Sequence, residues 1–115
     1  MFTVLFTSIG RRVELVRAFK KSYETMALKA QILGVDAEPS FAPASYFVDR
    51  CFKVPKVDDE SYVDTLLGIC RAEKVDLLIP LFEPEFSLLE AKRYEFERLG
   101  ILLLLSKRQV LEICQ

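Results

Sequence analysis

The sequence predicts an α/β fold: a three-layer α/β/α Rossmann-like domain with a mostly parallel sheet of four to five strands. Short runs of apolar and β-branched residues alternate along the chain with segments whose apolar residues recur at helical spacing. A helix between successive strands is the arrangement that joins parallel strands and covers both faces of their sheet. The 115 residues suffice for one hydrophobic core, which predicts one domain spanning residues 1–115.

The first strand, turn and helix form the stretch around which we expect the domain to be organised. Phe2–Thr7 is uncharged and mostly apolar, as is typical of a buried strand, and a turn containing Gly10 follows it. A helix is predicted from Val13 because apolar residues then fall on one side of a helical period. Those residues are Val13, Val16, Phe19 and Tyr23.

Arg11 and Arg12 stand at the start of this helix, where a cation opposes the positive end of the helix dipole. Two interpretations are open. In the first, both side chains simply reach into solvent. In the second, they face an anionic ligand or an acidic partner domain above the end of the strand.

The elements after the first helix continue the alternation. That helix is expected to end near residues 26–28, and a second buried strand is predicted at Ala30–Asp36. A loop rich in proline and small residues follows, with a short helical turn opened by Pro43. A third strand is predicted at Cys51–Val54, and the proline after it ends that strand.

An acidic tract, Asp58–Glu60, precedes the next predicted helix, which runs to about Glu73. Carboxylates there favour the helix N-terminus and supply capping oxygens, and this is the interpretation we adopt for the tract. A fourth strand is predicted at Val75–Ile79, closed by Pro80.

One further helix is predicted to begin near Glu83 and to end at Gly100 as its C-cap. Its buried residues are expected to be Phe86, Leu89 and Phe96. A fifth strand follows at Ile101–Leu105, and Ser106 then caps a last helix from Lys107. The pattern of this last helix is still running at Gln115, which favours continuation of the chain in the parent protein.

Composition excludes several classes of function. The chain is 51% apolar and 29% charged with a net charge of -1, so we expect neither nucleic acid nor a membrane as a partner. It contains no histidine, which excludes Ser-His-Asp and Cys-His nucleophile systems within the chain. Its three cysteines are widely spaced, as is typical of reduced thiols buried as small apolar residues in a cytoplasmic protein.

Neither a signal peptide nor a membrane helix is predicted. The apolar run at the N-terminus is short, lacks a basic leader and ends at arginines. The most apolar run, Ile101–Leu105, is far shorter than the roughly 20 residues that a membrane-spanning helix needs. We therefore expect a cytoplasmic protein.

Ligands of open parallel sheets bind beyond the carboxyl ends of the strands. A dinucleotide site would need G-x-G-x-x-G in the first loop, where only Gly10 is present, and no G-K-[ST] phosphate loop occurs. Asp36 lies where such sites carry a ribose-binding acid, although an acid at a strand end is also a common turn cap. The sequence therefore contains no recognisable phosphate cradle.

Glu83 and Glu85 are further candidates, since both fall at a junction between a strand and a helix. Two carboxylates there would suit a substrate amine, or a magnesium ion shared with another domain. The simpler interpretation is that they stabilise the N-terminus of the helix.

Several motifs together resemble a known family. The segment Thr7–Val16 (TSIGRRVELV) is similar to the T-S-A-G-R-R-x-E-L opening of carbamoyl phosphate synthetase large-subunit-like proteins of the ATP-grasp superfamily. Val35–Ala44 resembles their D-x-x-P-x-A-P-A loop, and the order of the later elements agrees. The resemblance covers the N-terminal, pre-ATP-grasp domain of that family. Leu81 and Phe82 depart from it, since smaller or polar residues are expected there.

The resemblance implies the N-terminal substrate-side domain of an ATP-dependent ligase, inactive by itself. It implies no cofactor or metal in this chain, with ATP and Mg expected in the full-length protein. The implied partners are a small-molecule substrate and an ATP-grasp domain, in the same polypeptide or in a partner chain. By position, the substrate-binding residues would be Ser8, Gly10, Arg11, Arg12, Asp36, Glu38, Glu83 and Glu85.

Two alternatives of another kind remain. The chain would also suit a free-standing Rossmann-like module that binds a nucleotide or a small anion. It would equally suit an interaction domain whose last helix docks on another chain or on a second copy, as a homodimer.

Overall fold

The computed structural model describes residues 2–10, 12–26 and 29–104. Within them lies one sheet of five parallel strands in the order β3-β2-β1-β4-β5, which confirms the predicted α/β class. The strands are β1 (Phe2–Thr7), β2 (Ala30–Asp36), β3 (Arg50–Lys53), β4 (Leu77–Pro80) and β5 (Leu102–Leu103).

The first strand lies in the centre of the sheet. Its Val4 pairs with Ile32 of β2 on one side and with Leu77 of β4 on the other. The chain builds the sheet outward from β1 in one direction as far as β3, and then in the other direction through β4. The order therefore reverses between β1 and β4, and all strands end at the same edge, which is where ligands of such sheets bind.

Helices cover both faces of the sheet. They are α1 (Val13–Thr25), α2 (Tyr62–Ala72), α3 (Phe86–Glu90) and α4 (Arg93–Arg98). Alternate residues of β1 face the two layers: Val4 and Phe6 pack with Val16 and Phe19 of α1, whereas Leu5 joins the core beneath the other three helices. Both predicted faces are therefore covered, with the core split into two layers by the sheet.

Several predicted boundaries shift. The strand β3 begins at Arg50 rather than Cys51, and α2 begins at Tyr62, after a turn in which the Asp59 carboxylate accepts hydrogen bonds from the N–H and hydroxyl of Ser61. Pro80 belongs to β4, where it pairs with Thr7. A proline is tolerated there because β5 pairs only with residues 77–78 and needs no N–H from position 80.

The prediction of a single helix from Glu83 to Gly100 is wrong, because the helix is interrupted. A 3₁₀ turn (Glu83–Glu85) leads into α3, and a break at residues 91–92 separates α3 from α4. At the break the Lys92 N–H bonds to the Leu89 carbonyl, three residues back, which tightens the turn and ends the helix. Leu89 and Phe96 are buried as predicted, whereas Phe86 is half-buried.

Gly100 does end α4 as predicted. Its φ is 78°, its N–H bonds to the Glu97 carbonyl at 2.9 Å, and the next N–H, of Ile101, bonds to the Phe96 carbonyl at 3.1 Å. These two bonds form a Schellman motif, in which glycine supplies the left-handed residue. The strand β5 is shorter than predicted, and Leu105, Ser106 and the helix from Lys107 lie outside the described residues.

Of the cysteines, Cys70 is buried and Cys51 is half-buried, and both are free thiols; Cys114 lies outside the described residues. None of the helices in the described part of the chain combines the length and the apolar composition needed to cross a bilayer.

Candidate functional site

An open groove of about 980 Å³ lies at the carboxyl edge of the sheet. The segments that follow β1, β2, β3 and β4 all contribute to it, so it spans the point where the strand order reverses. The lining residues are Ser8, Asp36, Ala37, Lys56, Val57, Asp58, Phe82, Pro84, Ser87, Leu88 and Ala91.

The turn after β1 is fixed against β2. Ser8 and Gly10 have φ values of 48° and 42°, in the left-handed region, and Ile9 between them is fully buried. Ile9 packs on Gly34, where a Cβ would lie 2.8 Å from Ile9 Cδ1. The Ala44 N–H also bonds to the Gly10 carbonyl at 3.1 Å. The turn is therefore rigidly placed at the end of its strand.

Asp36 joins the first two loops. Its Oδ2 accepts the N–H of Gly10 at 2.9 Å, and its Oδ1 accepts the N–H of Glu38 at 2.9 Å. Of the two interpretations for this residue, the structure shows the turn cap, because both carboxylate oxygens accept backbone N–H groups. Asp36 also lines the groove, so it contributes a negative charge there.

Beneath this edge lies a cluster of a carboxyl group and three hydroxyls. Glu85 is 0% exposed. Its Oε2 accepts the Ser8 hydroxyl at 2.5 Å, and its Oε1 accepts the hydroxyls of Thr7 and, at 3.3 Å, Tyr62. Burial raises the pKa of Glu85, and the charge of Asp36 adds to this, while the three hydroxyl donors act in the opposite direction. Burial, and then the charge of Glu85, likewise raise the pKa of Tyr62.

The lining of the groove is mixed. Asp36, Lys56 and Asp58 supply its charges, and Ser8 and Ser87 its hydroxyls. Its apolar surface comes from Val57, Phe82, Pro84, Leu88 and Ala91. Phe82 is 46% exposed, so part of its surface is open to a ligand.

The structure brings together part of the predicted site. Ser8 and Asp36 line the groove, Gly10 is bonded to Asp36, and Glu85 lies directly beneath Ser8. Glu85 was expected beside a cleft, yet it is buried as the acceptor of three hydroxyls rather than presented to a ligand.

Other predicted residues lie elsewhere. Arg12 precedes α1 as its N-cap residue with an exposed side chain, and Glu38 and Glu83 are also exposed; these three are outside the groove lining. Arg11 falls outside the described residues.

Sequence reasoning missed Tyr62, Lys56 and Gly34. A glycine inside a strand pattern signals a close backbone approach, so Gly34 carried a readable signal. Tyr62 and Lys56 carried none, because a tyrosine at a helix start and a lysine in a loop are ordinary surface residues.

In the turn after β1, the described backbone N–H groups of Ile9, Gly10 and Arg12 already have partners within the protein. A phosphate cradle needs free backbone N–H groups. Here the N–H of Ile9 bonds to a β2 carbonyl at 3.4 Å, that of Gly10 to Asp36, and that of Arg12 to the Ile9 carbonyl at 2.8 Å. In the described ranges there is also no group of three or more cysteine, aspartate or glutamate side chains that would hold a metal ion.

A model of the PylC-like N-terminal domain family matches residues 4–104. A search of the curated proteins gives no match.

Several solved structures share the fold. The biotin carboxylase domain of Hydrogenobacter thermophilus 2-oxoglutarate carboxylase superposes with a TM-score of 0.63 at 12% identity, over 90% of this chain and 22% of that one. The biotin carboxylase subunit of pyruvate carboxylase gives 0.58 at 13% identity, over 90% and 22%. Rhizobium etli pyruvate carboxylase gives 0.54 at 10%, over 89% and 10%. This chain thus corresponds to a small part of much longer proteins, and at such identities the likeness concerns the fold.

The family model spans most of the chain, and it describes an N-terminal domain, as the motifs after β1 and β2 predicted. The chain therefore belongs to the PylC-like N-terminal domain family, and it is a pre-ATP-grasp domain.

Proposed function

We propose that this chain is the substrate-side domain of a carbamoyl phosphate synthetase-like ATP-grasp ligase. In the proposed reaction, ATP converts a carboxylate into an acyl phosphate, and an amine or a similar nucleophile then displaces the phosphate. The observation that carries the proposal is the groove at the carboxyl edge of the sheet, in a chain that matches the PylC-like N-terminal family. The groove is the part of the substrate site that this domain supplies.

ATP and its magnesium ions are assigned to an ATP-grasp domain, in the same polypeptide or in a partner chain. The hydrogen bonds of the Ile9, Gly10 and Arg12 N–H groups support this assignment, because N–H groups that already have partners within the protein are not available to a phosphate. The Asp36 carboxylate beside it would repel a phosphate further. By itself, then, the chain is expected to be inactive.

Arg11 and Arg12 are proposed to act at the boundary between the two domains. Arg12 lies at the start of α1 with an exposed side chain, on the loop that leaves the carboxyl edge of β1. Phosphoryl transfer depends on positioning and on charge neutralisation, and guanidinium groups supply both. The pair would approach the anionic reactants only when the ATP-grasp domain closes the cleft.

The test uses the protein encoded by the complete gene. Incubation with ATP, magnesium and pools of carboxylic acids in hydroxylamine should yield hydroxamates, because hydroxylamine intercepts acyl phosphates. The 115-residue chain alone should yield none and should show no heat of binding with ATP. Arg11→Ala with Arg12→Ala should raise the KM for the carboxylate or abolish turnover.

The matched control is Lys20→Ala with Lys21→Ala, another adjacent basic pair, exposed on α1 itself. It should leave turnover unchanged. Ordinary kinetics in the arginine double variant would refute the role of that pair. Binding of ATP or a nicotinamide nucleotide by the chain alone would instead favour a free-standing nucleotide module. Sedimentation velocity on the same chain decides whether it also forms a homodimer.

A further inference from the structure

We propose that Glu85 is a positioning residue for the groove. Its carboxylate accepts the hydrogen bond from the Ser8 hydroxyl, so that Ser8 Oγ can act toward a bound molecule only as an acceptor. The ligand class that this selects is a small molecule with an N–H or O–H donor next to an apolar body. The inference rests on the proposed function, since it names the ligand chemistry of the same groove.

The first step is the geometry of one hydrogen bond. Ser8 lines the groove, and its Oγ donates to Glu85 Oε2 at 2.5 Å, at the short end of the range for a hydroxyl and a carboxylate. A serine hydroxyl has one proton and two lone pairs. With its proton engaged below, the oxygen can serve the groove only as an acceptor.

The second step is that Glu85 needs the hydrogen bond from Ser8. Glu85 is fully buried, and within the described part of the chain it has no lysine or arginine at salt-bridge distance. Its two oxygens depend on the hydroxyls of Thr7, Ser8 and Tyr62. Turning the Ser8 proton toward the groove would leave Oε2 without this donor, and an unsatisfied buried charge is costly.

The backbone of Ser8 is a third, independent observation. Its φ of 48° lies in a region that residues with a Cβ occupy uncommonly. Such strain persists where the surroundings fix the residue, and it is concentrated at binding and catalytic sites. Here the hydrogen bond to Glu85 is one of the contacts that hold Ser8 in place.

The other residues that line the groove define the rest of the ligand. Phe82, Val57 and Leu88 present apolar surface, and the 46% exposed Phe82 ring has the most room for a flat group. Among the charged residues of the lining, Asp36 and Asp58 outnumber Lys56, so a donor is favoured over an acceptor. A donor beside an apolar body matches this mixed lining.

The variant Glu85→Gln tests the positioning role directly. An amide keeps the shape of the carboxyl group but has one oxygen and one NH₂ group. The oxygen is expected at the Oε1 position, where Thr7 and Tyr62 both donate, so the NH₂ group faces Ser8. The Ser8 oxygen must then accept from the amide and turn its own proton into the groove, which reverses its polarity.

Indole and benzofuran are suitable probes, because they are neutral and nearly isosteric, with an N–H donor in one and a ring oxygen in the other. Each is titrated into the ¹⁵N-labelled chain at about pH 8, well above the ordinary pKa of a glutamate, and chemical shifts of the groove amides are followed. The wild-type chain should bind indole about two- to tenfold more tightly than benzofuran, as one net hydrogen bond allows. In Glu85→Gln the preference should disappear or reverse.

Two further variants complete the test. Glu95→Gln makes the same change on an exposed side chain of α4 and should keep the indole preference. Ser8→Ala leaves Glu85 in place and should abolish the preference, and it serves as the deciding variant if Glu85→Gln does not fold.

Three outcomes overturn the proposal: no binding of indole by the wild-type chain, equal binding of both probes, or an indole preference that survives in Glu85→Gln or Ser8→Ala. The titration contains no ATP and uses this chain alone. Failure of the ligase proposal is read from hydroxamate formation, so the two results are distinguishable.

Discussion

The side chain of Ile9 lies directly on Gly34, so closely that a Cβ at position 34 would be 2.8 Å from Ile9 Cδ1 and 3.3 Å from Ile9 Cγ2. This contact sets the height of the turn after β1 above β2. It adds to the hydrogen bonds that hold this turn, whose Ser8 lines the groove.

Gly34→Ala should therefore destabilise the chain by about 1–3 kcal/mol, the usual cost of overpacking a core. Ile9 is fully buried and has little room to move away. Ile9→Val removes the Cδ1 atom, so Gly34→Ala should cost less in that background. Urea unfolding of the two single variants and the double variant measures this coupling. Additive effects would show that the contact is not the cause.

Gly10→Ala should also destabilise the chain, for a different reason. A Cβ at position 10 has space, with Ser8 O at 3.9 Å as its nearest neighbour, but the φ of 42° is unfavourable for alanine. We expect a loss of about 1–2 kcal/mol in the free energy of unfolding. Gly68→Ala is the control. That glycine lies inside α2, and a Cβ added there would meet no heavy atom within 4 Å, so alanine should stabilise by up to about 1 kcal/mol.

The stability of Glu85→Gln relative to wild type should depend on pH. Burial raises the folded-state pKa of Glu85. The charge of Asp36 also raises this pKa, and the hydrogen bond from Tyr62 lowers it. A raised pKa means that folding favours the protonated form, so this contribution is present below the ordinary glutamate pKa and is lost as the pH rises through the folded value.

The free energy of unfolding of Glu85→Gln minus that of wild type should therefore increase with pH. Urea titrations from about pH 4 to about pH 8 measure this difference. Other carboxylates such as Asp59 are present in both proteins, so their contribution cancels in the difference. A difference that is flat or falls with pH would contradict the raised pKa.

Cys51 should react slowly with alkylating reagents, and the charge of Asp36 should be part of the reason. Burial, and then the charge of Asp36, raise the pKa of Cys51 to about 11. Asp36→Asn removes the charge, so alkylation of Cys51 by iodoacetamide should become several-fold faster at about pH 8.5. Burial alone raises the pKa of Cys70 to about 12, and its rate should not change. Peptide-resolved mass spectrometry measures both rates, and equal acceleration of the two would indicate loosening of the whole fold.

The main elements of the fold could be predicted because most of the strands contain short apolar runs bounded by turn residues. The break between α3 and α4 could not be predicted, because residues 86–99 contain no proline or glycine. The break is a tightened turn at Lys92, and Leu89 and Phe96 on either side of it are buried in the same core.

Those parts of the candidate site that lie at the ends of predicted strands could be predicted from the sequence. Ser8 and Asp36 follow predicted strands, so their place at the carboxyl edge was readable from the sequence. The burial of Glu85 was not, since its partners Thr7 and Tyr62 are 78 and 23 residues away in the chain. A glutamate after a strand, next to a proline, carries the same sequence signal whether it points outward or inward.

The central position of β1 matters during synthesis. Of the five strands, β1 is translated first, and β2 can join it as soon as residues 30–36 follow. Its other flank stays open until residues 77–80 have been translated, leaving a row of bare amide and carbonyl groups. A nascent chain that stalls before that point exposes the unpaired edge of β1. We expect such chains to aggregate through that edge.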